Sequence, residues 1–195
     1  MSKKNILLCG VGGQGTVLAS KLIAYAAMKK GYFARTAETI GMAQRGGSVV
    51  SHVRIGHTIY SPMIPKKSAD VIVGFEPAEA VRCLPYLKEN GIVIVSNKPI
   101  RPVTASLGFS YDSESVMNYL MTVAHNVITI DAEQIFHDCG SSKVLNVALL
   151  GAASQSGALG LTIDELKDAI NHIVPEKYHA LNHKALSFCT RQISP

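Results

Sequence analysis

Asn5-Ile6-Leu7-Leu8-Cys9-Gly10-Val11-Gly12-Gly13-Gln14-Gly15 opens the chain, and the residues after it follow helical spacing. The order is a short apolar strand, a glycine-rich turn and a helix start. Glycines at 10, 12 and 15 match G-x-G-x-x-G: the first for a tight turn, the second for close backbone approach, the third for helix-on-strand packing. An anion would sit on the exposed amides at the helix start, where the backbone dipole favours negative charge. The same glycines also serve a sharp strand-to-helix turn that binds nothing, so two readings of Gly10, Gly12, Gly13, Gln14 and Gly15 stand at this point.

Beyond the turn, Val17, Leu18, Ala19, Leu22, Ile23, Ala26 and Ala27 recur at helical spacing, and Gly31 stands where the helix would stop. Residues 32–37 read as a second strand. The stretch 38–47, Glu38-Thr39-Ile40-Gly41-Met42-Ala43-Gln44-Arg45-Gly46-Gly47, has no clear period and reads as a functional loop. Residues 48–55 suit a strand, and Gly56-His57 before Thr58-Ile59-Tyr60 carries the signature of a two-residue hairpin turn, expected as an insertion or an antiparallel edge. Strand 69–75, helix 77–88 and strand 91–96 then repeat the βαβ pattern. A proline-rich connection at Pro99 and Pro102 leads to a helix near 115–124 and a strand at 127–130, with Asp131 placed to cap the next short helix. Residues 143–155 are apolar on nearly every face, which requires burial in this core or in a subunit contact. Thr162-Ile163-Asp164-Glu165 is a capping box, and 176–193 reads as a final helix. The expectation is an α/β chain forming a single Rossmann-like layered domain over 1–195: a mostly parallel sheet with an inserted β-hairpin and a helical C-terminal part.

Of the 195 residues, 47% are hydrophobic, enough for one substantial core and few for two. The net charge of +5 suits an anionic ligand or acidic partner, but the basic residues are scattered and tryptophan is absent, which argues against nucleic acid. Cys9, Cys83, Cys139 and Cys189 include no C-x-x-C pair, so neither a zinc site nor an iron–sulfur cluster is indicated; they read as reduced thiols of a cytoplasmic protein. The apolar run after Ser2-Lys3-Lys4 is too short for a signal peptide, and no stretch reaches the length of a membrane span.

Several reaction classes lack their residues. Thr16 and Val17 occupy the places of the lysine and hydroxyl residue of a P-loop, and no G-x-S-x-G elbow exists, so no catalytic residue is assigned. His179 and His183 lie four apart on an expected helix with no evident third ligand, and no metal site is assigned. Glu38 falls just after the second strand, where an acid would hold a nicotinamide ribose, yet it serves equally as a capping or salt-bridged carboxylate. A stand-alone NAD(P)- or nucleotide-binding protein is the alternative that this position keeps open.

The glycine loop, the 38–48 stretch and Gly74-Phe75-Glu76-Pro77, with Asn146-Val147-Ala148-Leu149-Leu150-Gly151-Ala152 and Asn182-His183-Lys184-Ala185 further on, resemble a known family. They are similar to the gamma-type component of 2-oxoacid:ferredoxin oxidoreductases, and within that family to the indolepyruvate type. The likeness runs along almost the whole chain.

The resemblance implies an accessory subunit of an anaerobic enzyme that takes an aryl 2-oxoacid, coenzyme A and oxidised ferredoxin to acyl-CoA, carbon dioxide and reduced ferredoxin, the isolated chain being inactive. It also implies that thiamine diphosphate, its magnesium and the iron–sulfur clusters reside in a larger partner subunit, since the motif for magnesium diphosphate and cluster-spaced cysteines are missing here. Coenzyme A, the co-substrate, offers the glycine loop a diphosphate. Glu38, Gln44, Arg45, Gly46 and Gly47 form a substrate or interface loop, Arg45 meeting either a substrate anion or a carboxylate across the subunit boundary. Expressed alone, the chain is expected to be able to pair with itself through the apolar 143–155 surface.

Overall fold

The structure, a computed structural model, describes residues 3–40, 47–100 and 111–188. Six strands form one sheet in the order β2-β3-β1-β4-β5-β6. They are β1 (Lys4–Val11), β2 (Phe33–Ile40), β3 (Ser48–Gly56), β4 (Ala69–Gly74), β5 (Leu87–Ser96) and β6 (Val127–Ile130). Strands β1, β4, β5 and β6 pair in parallel, while β3 runs antiparallel to both β1 and β2. Seven helices are described: α1 (Thr16–Lys29), α2 (Pro77–Cys83), α3 (Ser113–Val123), α4 (Ala132–Cys139), α5 (Leu145–Gln155), α6 (Ile163–Ile173) and α7 (His179–Leu186). The α/β class, the mostly parallel sheet, the hairpin and the helical C-terminal part agree with the sequence reading.

The hairpin lies elsewhere than Gly56-His57 suggested. Strand β3 turns back from β2, and residues 57–60 form no strand. The antiparallel strand is therefore interior, not an edge. It pairs along eight positions with each neighbour, which satisfies both of its backbone edges, whereas Thr58 to Tyr60 would have supplied only three residues on one edge. Its two faces are also both covered. Val53 and Ile55 pack beneath α1 with Ile6 and Leu8. On the opposite face, Arg54 donates from Nε to Asn5 Oδ1 (3.0 Å) and from Nη1 to the carbonyls of Ser61 (2.8 Å) and Met63 (3.0 Å), strapping the following segment across the sheet.

His52 fastens the same strap, its Nδ1 accepting from Ile64 N (3.2 Å) while its ring meets Tyr86 edge-on. Burial pushes its pKa down. The native protein thus binds fewer protons than the unfolded chain below the ordinary histidine value near ~6.5, so the contribution of His52 to stability is present above that pH and is lost as the pH falls towards the native pKa. Between pH 7 and pH 5.5 the wild-type protein is expected to lose more stability than His52→Gln does, measured by urea unfolding at the two pH values. Equal losses in the two proteins would overturn this.

Helix α2 ends at Cys83 rather than 88. Pro85 has no N–H for the carbonyl of Val81, so residues Leu84–Tyr86 tighten into a 3₁₀ turn and β5 starts at Leu87. In the same way a 3₁₀ turn at Glu176–Tyr178 precedes α7, shorter than a helix over 176–193. The capping box at Thr162 and Glu165 is formed, and Asp131 caps α4 through Glu133 N and Gln134 N.

Helix α5 is buried from Leu145 to Ser154, and it is buried within this chain, against α7, α1, α4 and the sheet. That decides between the two expectations for it and removes α5 as a surface for self-pairing. Among the described residues no helix is long and apolar enough to cross a membrane.

Candidate functional site

From β1 the chain crosses through α1 to β2 on one side, and from β4 through α2 to β5 on the other, so the carboxyl ends of β1 and β4 form the switch point where open α/β sheets bind ligands. The glycine loop lies there. Gly10 and Val11 finish β1, Gly15 caps α1 with φ +82°, and Gly13 has φ +99°. Gly10 is needed for space: a Cβ there would stand 2.6 Å from Gln14 Oε1 and 3.0 Å from Phe75 Cβ.

Gln14 is a staple. Its Oε1 accepts from Val11 N (2.8 Å) and its Nε2 donates to Phe75 O (2.8 Å), so both ends of the amide are spent on backbone. Gly12 N is spent too, on Gly47 O at 2.9 Å. Asn146, on α5, donates from Nδ2 to Gly15 O (3.2 Å), where a Cβ on residue 15 would be 2.4 Å from that nitrogen. Three of the stretches that carried the family likeness therefore meet the glycine loop, where Gly47, Phe75 and Asn146 each hold a different residue, while Asn182 to Ala185 do not join it.

Around the loop the Gly74 to Pro77 stretch is architectural. A Cβ on Gly74 would be 2.7 Å from that of Ala80, which lets α2 lie close on the sheet. Phe75 is fully buried. Glu76 caps α2 by accepting from Glu79 N (2.9 Å), and it also accepts from Tyr111 Oη, whose pKa burial and this carboxylate push far up. Ser48 donates to Glu79 Oε2 (2.6 Å), anchoring the chain beside Gly47.

What remains available for a ligand is the helix start. No acceptor among the described residues meets the amides of Gly13, Gly15, Thr16 or Val17, and the first turn of α1 holds no acidic residue. Of these, Gly13 and Gly15 line a groove of about 710 Å³, to which Lys98, Phe136, Lys143 and Asn146 also contribute. Lys98 pairs with Glu133 and lies 4.9 Å from the centre of the Phe136 ring. Lys143 is exposed and has no ion-pair partner among the described residues. The arrangement suits a phosphate: amides and a helix dipole on one side, a free cation on the other. Neither lysine stands in a motif, although Lys98 follows β5 at the carboxyl edge of the sheet, a position that is itself a signal.

Glu38 is not part of the groove. Its Oε1 accepts from Ser20 Oγ (3.0 Å) on α1, and β3 separates its strand from β1. The groove opens on the other side, towards β5 and α5, so Glu38 lacks the position of a ribose-binding acid. Gln44, Arg45 and Gly46 lie outside the described residues, and Gly47 acts through its carbonyl. His179 is engaged by the carbonyl of Val174 (2.6 Å), and no group of three His, Cys, Asp or Glu among the described residues could hold a metal ion. Cys9, Cys83 and Cys139 are free and buried, and a hydrogen bond with Cys83 together with burial raises the pKa of Cys9.

Residues 5–188 match the family model described as pyruvate ferredoxin/flavodoxin oxidoreductase. The indolepyruvate oxidoreductase subunit IorB of Pyrococcus horikoshii is 39% identical over 188 residues, covering 95% of this chain and 93% of the relative. In fold, the chain is similar to the gamma subunit of a keto/oxoacid ferredoxin oxidoreductase from Geobacter sulfurreducens, with TM-score 0.68, 23% identity and coverage of 95% and 93%. It is also similar to part of a 2-oxoglutarate:ferredoxin oxidoreductase from Magnetococcus marinus, with TM-score 0.73 and 19% identity, spanning 98% of this chain but 31% of that one.

Proposed function

Because the chain belongs to the pyruvate ferredoxin/flavodoxin oxidoreductase family, we propose that it is the accessory subunit of a complex that oxidatively decarboxylates aryl 2-oxoacids of the indolepyruvate type, forming acyl-CoA and reducing ferredoxin. Its glycine-loop groove holds the diphosphate of coenzyme A. The observation that carries this is the pairing, across one groove at the switch point, of unengaged helix-start amides with Lys143. The names of the relatives support the reaction class.

The donor set fits a diphosphate. Gly13 and Gly15, whose amides meet no acceptor among the described residues, line the groove where the α1 dipole is positive, and Lys143 adds an exposed cation. The staple through Gln14 and the bond from Asn146 fix those amides before any ligand arrives, so little ordering is left to offset binding. The chain binds and orients; the carbon chemistry belongs to thiamine diphosphate, and electron transfer to iron–sulfur clusters, in the larger partner subunit. With the co-substrate held beside that partner, its thiol would meet the reacting acyl group in a fixed geometry.

A tagged chain purified anaerobically from its native host is expected to bring down a large brown subunit containing thiamine diphosphate. The complex is expected to reduce a viologen dye only when both an aryl 2-oxoacid and coenzyme A are present. A colourless chain recovered alone that takes up NADH would overturn the proposal.

A further inference from the structure

Helix α3 does not carry the surface that water favours. Leu120, packed with Ala80 and Cys83 of α2, is its one buried residue, yet beyond Glu114 the helix has no charged side chain. Helix α6, by contrast, bears Asp164, Glu165, Lys167 and Asp168. In place of charges α3 shows large apolar groups: Tyr119 is 55% exposed, Met121 54% and Val123 46%. Val116, Tyr119 and Val123 stand at i, i+3 and i+7, which lines them along one side of the helix as an apolar ridge. Depletion of charge together with exposed aromatic and methionine side chains marks the centre of a protein interface. Titratable groups stand at the two ends of the ridge. Glu114 is exposed in the first turn and His125 just past the last, and neither side chain has an ion-pair partner among the described residues.

We infer that this ridge pairs with the same ridge of a second copy of this chain, the two α3 helices lying antiparallel about a two-fold axis beside Tyr119. The helix is complementary to itself in that arrangement. With the axis between residues 119 and 120, Val116 falls beside Val123 of the second copy, Glu114 beside His125 of the second copy, and the two Tyr119 rings meet at the centre. An imidazole N–H donates to a carboxylate whether or not the ring is charged, so the end pairs fix the register. Antiparallel packing also sets the positive end of each helix dipole beside the negative end of the other. Both halves of the contact are present on one helix, which commits the surface to a second copy; α5, apolar on nearly every face, is enclosed and cannot serve. A pair of three-turn helices covers less than the roughly 1,200 Å² of lasting interfaces, so the pairing is reversible. Helix α3 packs on the face of the sheet opposite α1, and the pairing is independent of what the glycine-loop groove binds.

Sedimentation velocity of the full chain over a range of concentrations tests the contact. The wild type is expected to pass from monomer to dimer as its concentration rises. Tyr119→Glu, which sets two carboxylates beside the axis, is expected to weaken dimerisation by at least about tenfold. Tyr60→Glu, made on a tyrosine that is 94% exposed outside α3, is expected to leave it unchanged. Glu114→Lys and His125→Glu are each expected to weaken it by about fivefold, since each breaks both symmetry-related end pairs, and the double variant, which reverses the pairs, is expected to return within about twofold of the wild type. That rescue is a readout which mere damage to the helix would not give. A monomer at every concentration, a dimer indifferent to Tyr119→Glu, or a double variant no better than the single ones overturns the two-fold α3 contact. Loss of the larger subunit from Tyr119→Glu with self-association intact does so too, and assigns the ridge to that subunit.

Discussion

Gly13→Asp is expected to raise the KM of the assembled enzyme for coenzyme A by at least about tenfold, with a loss of stability near ~1 kcal/mol. The two effects separate because of where residue 13 stands. A Cβ there meets nothing within 4 Å, so the new side chain displaces no neighbour. The φ of +99° imposes backbone strain of about 1–2 kcal/mol, and a carboxylate at the positive end of α1 returns up to about 1 kcal/mol of that. The charge, however, occupies the space assigned to the diphosphate. At 4 Å two like charges near a protein surface repel by up to about 4 kcal/mol, and the tenfold change requires only about 1.4 kcal/mol. Gly13→Ala is the control: it adds the same strain without the charge and is expected to change the KM by less than about threefold. Steady-state kinetics at varied coenzyme A, beside thermal unfolding of each variant, decide the matter. An unchanged KM in Gly13→Asp would remove coenzyme A from the groove. A rise just as large in Gly13→Ala would assign the effect to the backbone.

Much of this site was legible in the chain, and the part that was not has a physical cause. The turn at Gly10 to Gly15 could be read because strand, turn and helix each leave a local pattern, and the capping box at Thr162 and Glu165 could be read for the same reason. The place of β3 could not. Its alternation of Val49, Val53 and Ile55 with Val50, His52 and Arg54 is identical whichever strand it pairs with, and a local turn signal at Gly56-His57 loses to two full ladders of backbone bonds. The family likeness picked out Gln14 and Asn146 as members of motifs. Their work as staples on Phe75 O and Gly15 O depends on contacts 61 and 131 residues apart. Lys143 carries no local signal of binding, because only the 3₁₀ turn over Ser142–Val144 that leads into α5 brings it to the groove of the glycine loop. Glu38 is the converse case: its position after the second strand is right for a ribose, but an interposed strand takes it away from the groove.

Gly151→Ala is expected to lower stability by about 2 kcal/mol, although alanine is the better helix former by about 1 kcal/mol. A Cβ at residue 151 would lie 2.1 Å from the carbonyl oxygen of Leu186 and 3.0 Å from its carbon. The obstacle is the backbone at the end of α7, so no rotamer change relieves it, and α7 must move away from α5 by more than 1 Å to restore contact distance. Overpacking on that scale costs about 3 kcal/mol, which exceeds the propensity gain and sets the sign. For a chain of this size the midpoint of thermal unfolding should fall by roughly 4–8 °C. A rise instead would mean that helix propensity decides and that the two helices do not approach so closely.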